Sequence, residues 1–463
     1  MKRFLALFTA VLLCLTLLSG CGSNDTTPSG GDTPTPPVSP SNTGGSTPTG
    51  DITSPAVTDP TVTPTADPTP TPTPEPTPPA NLVEYKGPMY HVFYHFLIAF
   101  PEIAAKSDYA GSLYADCVTP TEYWRSLEEL YKNNFVIYDL NEYIVRNADG
   151  TVSNKPIMVP EGKKPLIISF DDMSYYRSNH GKGIADKVII DENGNYAMYT
   201  MPVGATEPLI TYDNGTIPLL EKFVAEHPDF SPFGAKGLLA MTGFDGILGY
   251  RINRESPNQQ SEIEAVKPLV EKLKADGWYF GSHSYGHIRM GSISLDKMKT
   301  DTQHWIDEIM SVVGKTDIYV FAFGDYPKSH DDPRFQYMLE SGFKIICGVG
   351  MGPYFRKYDT YAFMDRAYID GNSLTNAHGG QHKYLVALMD PYYVYCPEER
   401  GGRPMPNAPT NTTQPPSPTP GNPSPPAASP SPTAPPSPDV SPVLPPDDAD
   451  LPDDEPSPTP PEA

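Results

Sequence analysis

The stretch SEIEAVKPLVEKLKADGWYFGSHSYGH, residues 261–287, reads as a helix, a turn, a strand and a pair of histidines in that order. Ile263, Val266, Val270 and Leu273 share one face at helical spacing, so residues 261–276 predict an amphipathic helix. Gly277 sits where a C-terminal cap belongs. Residues 278–283 then read as a strand, and His283 and His287 follow at its carboxyl end.

The same alternation extends both ways. Upstream, residues 89–98 predict an apolar, aromatic strand. Thr119-Pro120-Thr121-Glu122 predicts a capping box with Pro at the first helical position, followed by Tyr123, Leu127 and Leu130 at helical spacing. Residues 135–140 and 165–170 read as strands, 219–226 as a short helix and 237–241 as a strand. Downstream, 294–313 predicts a long helix with Trp305, Ile309 and Val313 on one side. Then come a strand at 318–323, a helix opening at Asp332-Pro333 and a strand at 343–347. Repeated strand-helix alternation implies an α/β fold, a parallel sheet or barrel with helices outside. In such folds chemistry gathers at the carboxyl ends of the strands. Residues 176–215 interrupt the pattern. A hairpin is expected there from 188–190 and 196–199 around Asp191-Glu192-Asn193-Gly194. It either shapes a cleft or is a surface insertion.

The ends of the chain differ in kind. Lys2 and Arg3 precede an apolar run, residues 4–18, and then Leu18-Ser19-Gly20-Cys21. Charge, apolar run and small residues before a cysteine resemble the lipobox of bacterial lipoproteins. On that reading residues 1–21 are a signal and lipobox, Cys21 takes the lipid, and the mature protein is held at the extracellular face of the bacterial membrane. Residues 22–80 and 401–463 are rich in Pro, Ser and Thr and poor in large apolar residues, so both are expected to be disordered. The domain is expected at 81–400. A formal net charge of −23 argues against nucleic-acid partners. Cys117, Cys347 and Cys396 remain after the leader; their number and spacing imply neither a disulfide framework nor a metal knuckle.

Two motifs carry chemistry. Leu166-Ile167-Ile168-Ser169-Phe170-Asp171-Asp172 ends an apolar strand in two adjacent carboxylates. Alone, such a pair also suits a solvated turn; buried, it calls for a cation or a shared proton. His283-Ser284-Tyr285-Gly286-His287 places two imidazoles four residues apart at another strand end, a spacing that lets both face one ion. No Glu follows His283, so this is not the metalloprotease arrangement. One Asp and two His would leave coordination positions open, as a catalytic metal needs.

Ser169-Phe170-Asp171-Asp172 is similar to the TFDD motif of the polysaccharide deacetylase family (NodB-homology, carbohydrate esterase family 4). His283-Ser284-Tyr285-Gly286-His287 matches that family's H-[ST]-x-x-H motif. Phe321-Ala322-Phe323-Gly324-Asp325-Tyr326 looks like a shortened form of its third motif and lacks the family's proline. The resemblance spans roughly 89–374. It implies a distorted (β/α) barrel and removal of acetyl groups from a polysaccharide, N-deacetylation being favoured. It implies Asp172, His283 and His287 as ligands of a divalent metal, Zn²⁺ first, and Asp171 as the general base. The family's late Leu-x-x-His is absent: Leu374 and His378 lie one residue too far apart, and His378 and His382 read as surface residues. A permuted branch, with Tyr-His near the N-terminus, resembles the chain better. Tyr94-His95 fits it, with Tyr90-His91 as the competing register, and His95 is the expected general acid. Asp365-Arg366 resembles the closing strand of that branch and reads as structural. An O-acetyl esterase and a non-catalytic carbohydrate-binding lipoprotein are the alternatives.

Overall fold

The computed structural model describes Pro79, residues 81–377 and residues 380–406. The expected leader with Cys21, the rest of the expected 22–80 linker, His378 and the residues from 407 onward lie outside the described residues. Among the described residues no helix is long and apolar enough to cross a membrane.

Seven parallel strands close into a barrel. They are β1 (Tyr90–Tyr94), β2 (Lys164–Phe170), β3 (Leu238–Met241), β4 (Tyr279–Ser282), β5 (Ile318–Val320), β6 (Ile345–Val349) and β7 (Ala362–Tyr368). Each pairs with the next in chain order, and β7 returns to β1 through Ala367↔Val92 and Tyr368↔Phe93. The helices between them are α1 (Pro120–Lys132), α2 (Thr216–Glu226), α3 (Gln259–Ala275), α4 (Leu295–His304) and α5 (Pro333–Glu340). This is the expected distorted α/β barrel, and the distortions have identifiable sources. Phe135–Ile137 pairs with the first half of β2, at Phe135↔Lys164 and Ile137↔Leu166, while β3 takes the second half of the same edge, at Leu238↔Ser169. An eighth strand is therefore left outside the ring. Between β6 and β7 no helix forms; Phe355–Lys357 folds back antiparallel on β7 instead.

Successive strand residues face opposite ways, and the apolar ones accordingly sort into two cores. Ile167, Leu238, Ala240, Ile318, Val320, Ile345, Cys347, Ala362 and Met364 fill the barrel. Ile168, Phe170, Leu239, Met241, Phe280, Tyr319, Ile346 and Phe363 pack outward, in one cluster with Leu127, Phe223, Val270, Trp305 and Phe335 of the surrounding helices. The second set is the larger, as expected for a barrel sealed by helices.

Local chemistry fixes the elements. Thr119 and Glu122 make the reciprocal capping box of α1. Asp332 caps α5 through the Arg334 N–H. Gly277 takes φ 95°, where a Cβ would strike the Gly234 carbonyl. The 188–199 hairpin forms with Ile190 opposite Tyr196 and gains a third strand, Leu209–Thr211. Some strands are shorter than expected. Residues 95–98 leave β1 because the Ile98 N–H turns to the Val118 carbonyl. Leu140 belongs to a 3₁₀ turn capped by the Asp139 side chain. The domain boundary at 400 falls inside a packed segment. Buried Arg400 grips Glu122 at 2.6 and 2.7 Å, and Met405 is still buried, so the fold continues past it.

Candidate metal centre

The carboxyl ends of β2 and β4 bring the two motifs together. Asp171 and Asp172 are the first two residues past the end of β2, and His283 is the first past the end of β4. The nearest ligand atoms of Asp172, His283 and His287 all lie within 4.8 Å of one another, the one such trio found among the described residues. Asp172 Oδ1 is 3.5 Å from His287 Nε2 and 4.0 Å from His283 Nε2. Tetrahedral bonds of ~2.1 Å set ligand atoms about 3.4 Å apart, so the donor set fits a divalent ion such as Zn²⁺ with little movement. His283 Nδ1 lies 3.0 Å from the Val320 carbonyl. A carbonyl only accepts, so the proton sits on Nδ1 and the Nε2 lone pair faces the trio.

Backbone strain collects here. Asp172, Ser284, His287 and Phe323 all have φ between 48° and 58°, a conformation that costs non-glycine residues of order 1–3 kcal/mol each. Asp301 of α4 holds the histidine loop against that strain. Its carboxylate accepts from the Tyr285 N–H at 2.8 Å and the Gly286 N–H at 2.7 Å, and the Ser284 hydroxyl accepts from the Ile288 N–H. Met241, at the end of β3, accepts from the His283 N–H at 2.9 Å and from the Trp305 indole at 2.7 Å. Tyr176 donates its hydroxyl to Asp172 Oδ1 at 2.7 Å, and its ring stacks on half-exposed Phe244. That contact gives the 176–215 insertion a side chain in the site.

Asp171 points into the barrel and meets Arg366 of β7. The guanidinium reaches its two oxygens at 2.6 and 2.9 Å, and both side chains are buried. Burial would push the Asp171 carboxyl up, but Arg366 and His283 outweigh it and hold it well below the usual carboxylate range. Asp172 is also lowered, since His287, His283 and His95 overcome its burial. Burial pushes the His283 imidazole down to about 4, against the pull of Asp171. Asp171 therefore stays ionised and His283 neutral at physiological pH. Arg366 is thus more than part of the closing wall: it is the counter-charge of Asp171. A lone Arg at an inward position of the apolar run Ala362–Tyr368 was the available sign. Nothing local pointed to Asp301 or Tyr176.

His95 lies just past β1, half-buried. Its Nδ1 donates to the Asp116 carbonyl at 2.9 Å, which leaves Nε2 free. Burial lowers its pKa, but Asp172, Asp171, Asp116 and Asp370 together raise it above the ordinary value. A cation on Asp172 would offset part of that field. The competing histidine, His91, lies deeper in the barrel, bonded to Ser169 at 2.9 Å. In the third motif the Phe323 ring packs on His287 at 4.4 Å and Arg289 covers Phe323. His382 is not a surface residue. It is buried beside Tyr368 because the turn Gly380–Ala387 folds back on β7, with the Tyr384 hydroxyl on the Tyr368 carbonyl.

No family model matches the sequence, and no curated protein does. Among solved structures, the chain is similar to the Streptococcus pyogenes deacetylase PplD in complex with acetate. Identity is 14%, 66% of this chain and 99% of that chain are covered, and the TM-score is 0.36. It is also similar to a carbohydrate esterase family 4 pseudoenzyme from Bacillus anthracis, at 12% identity, 36% and 52% coverage and a TM-score of 0.18.

Proposed function

We propose that this protein is a metal-dependent hydrolase that removes acetyl groups, amide-linked ones first, from an extracellular polysaccharide. One observation carries the reading: an Asp-His-His trio at the mouth of a barrel, with a second, ionised carboxylate 3.6 Å from one of its imidazoles. Asp172, His283 and His287 would hold the ion. When bound, such an ion supplies Lewis acidity, lowering the pKa of water at the site and polarising the acetyl carbonyl.

The chain's own groups divide the remaining work. Asp171 accepts the proton of the attacking water. Arg366 keeps it charged and in place. A carboxylate held so acidic accepts a proton only from water that is itself acidified, so this base and a cation belong to one scheme. His95, with Nε2 free and its pKa raised by the surrounding carboxylates, donates a proton to the leaving nitrogen or oxygen. Asp301 and Tyr176 hold the ligands. The motif resemblance at 169–172 and 283–287 supplies the substrate class. Cys21 as lipid anchor completes the proposal and sets the domain outside the cell membrane, facing an acetylated glycan. Labelling with a radioactive fatty acid that persists in C21A would remove the anchor.

The test is acetate release by the purified protein, with and without chelator, from N-acetylated oligosaccharides and from an O-acetyl ester. Release from the amide that stops on chelation supports the proposal. Release from the ester alone makes the protein an esterase. Release from neither, with metal bound, leaves a non-catalytic binding protein.

A further inference from the structure

Asp171 and Arg366 belong to a longer buried chain of polar groups. Arg366 Nη1 bonds Asp171 Oδ1 at 2.6 Å and also lies 3.3 Å from the Ser169 hydroxyl. Its Nε reaches the Gly348 carbonyl at 3.3 Å, and Phe93 lies 4.2 Å beneath the guanidinium. Ser169 Oγ is in turn 2.9 Å from His91 Nε2. All four polar side chains are at least nine-tenths buried.

The hydrogens in this chain run one way. A guanidinium only donates, so Ser169 accepts from Arg366. The one hydroxyl hydrogen then goes to His91 Nε2, which must carry the lone pair. Nδ1 holds the ring proton and has no hydrogen-bond partner. A buried polar group without a partner is unfavourable, so an apolar residue at 91 would serve the core better. Burial and Arg366 also drive the His91 pKa well below its ordinary value, so the ring stays a neutral acceptor.

We propose that Ser169 and His91 are positioning residues, a strut that fixes the plane of the Arg366 fork and through it the direction of the Asp171 carboxylate. The strut deepens the proposed hydrolase and rests on the reading of Asp171 as its base. Ser169 precedes Asp171 by one inward position on β2, and His91 lies across from it on β1, where His91 pairs with Ile167 and Phe93 with Ser169. Without the hydroxyl, Nη1 loses its second acceptor and the fork can turn. Misplacement of a reacting group by ~1 Å lowers turnover on the order of 10²-fold.

Ser169→Ala is expected to lower kcat for acetate release by ~10- to 100-fold, with KM and bound metal unchanged. Ser169→Thr, which keeps the hydroxyl, is expected to restore kcat to near the wild-type value. An alanine variant with wild-type kcat, or a threonine variant as impaired as alanine, overturns the strut. Nitrogen-15 NMR of histidine-labelled wild-type protein judges it without turnover or mutation. His91 should show a protonated Nδ1 and an unprotonated Nε2, and the opposite tautomer overturns the proposal. If wild-type protein releases no acetate while His91 holds that tautomer, the base reading fails and the strut geometry stands.

Discussion

Replacing Arg366 by Met should expose how the base is held. The two partners are among the most deeply buried charged groups of the fold, with side-chain exposures of 0% and 3%. Methionine fills much of the vacated volume, so the main effect is an unpaired carboxylate inside the barrel. Removing one partner of such a pair costs about 3–5 kcal/mol. At roughly 2–3 °C per kcal/mol for a domain of this size, the unfolding midpoint should fall by roughly 6–15 °C at pH 7. The sign of the pH dependence follows. In the wild type the Asp171 pKa is depressed, so its contribution is present above the unfolded value of about 3.9 and is lost as pH falls through the folded one. In the variant, burial raises that pKa, so the penalty is greatest at neutral pH and fades as the carboxyl protonates. The gap between wild type and Arg366→Met should therefore narrow from pH 7 to pH 4. The double variant Asp171→Asn/Arg366→Met removes both charges and should recover much of the loss. Calorimetric midpoints of the three proteins across that range make the test. A single variant as stable as wild type at pH 7, or a double variant no more stable than the single, would refute the reasoning.

Asp171→Asn should bind metal as the wild type does and release acetate at least 10²-fold more slowly, the usual scale of a general base; wild-type turnover would remove Asp171 from that role. Asp301→Ala should weaken metal affinity ~10- to 100-fold, as loss of a supporting partner does, read by competition with a fluorescent chelator, and unchanged affinity would mean the histidine loop holds itself. In metal-free protein, His283 with its folded pKa near 4 contributes stability above about pH 6.5 that is lost as pH falls toward 4. His283→Gln should flatten that part of the melting profile, and an unchanged profile would contradict a buried neutral imidazole.

The barrel was legible because its signals are local. The helix at 259–275, Gly277 and the following strand follow from periodicity and a cap, and the two motifs are short enough that strand ends at Phe170 and Ser282 aim them. What the sequence withheld depends on register between distant segments. Arg366 meets Asp171 across 195 residues, and only the return of β7 to β1 and β2 brings them close. Asp301 reads as one more polar residue on an amphipathic helix, and Tyr176 as the start of an insertion. The exclusion of Phe135–Ile137 from the ring comes from competition for one edge of β2, which propensity does not encode. His382 reads as exposed in the sequence because its burial depends on a fold-back after β7 that carries no periodic pattern.

The most direct measurement is a crystal structure of the protein grown with Zn²⁺, with diffraction collected on both sides of the zinc absorption edge. One anomalous peak bonded to Asp172 Oδ1 and to Nε2 of His283 and His287, at about 2.0–2.2 Å and open to solvent on its remaining face, is the predicted result. No peak there, or a fourth protein ligand closing that face, would contradict a catalytic metal centre.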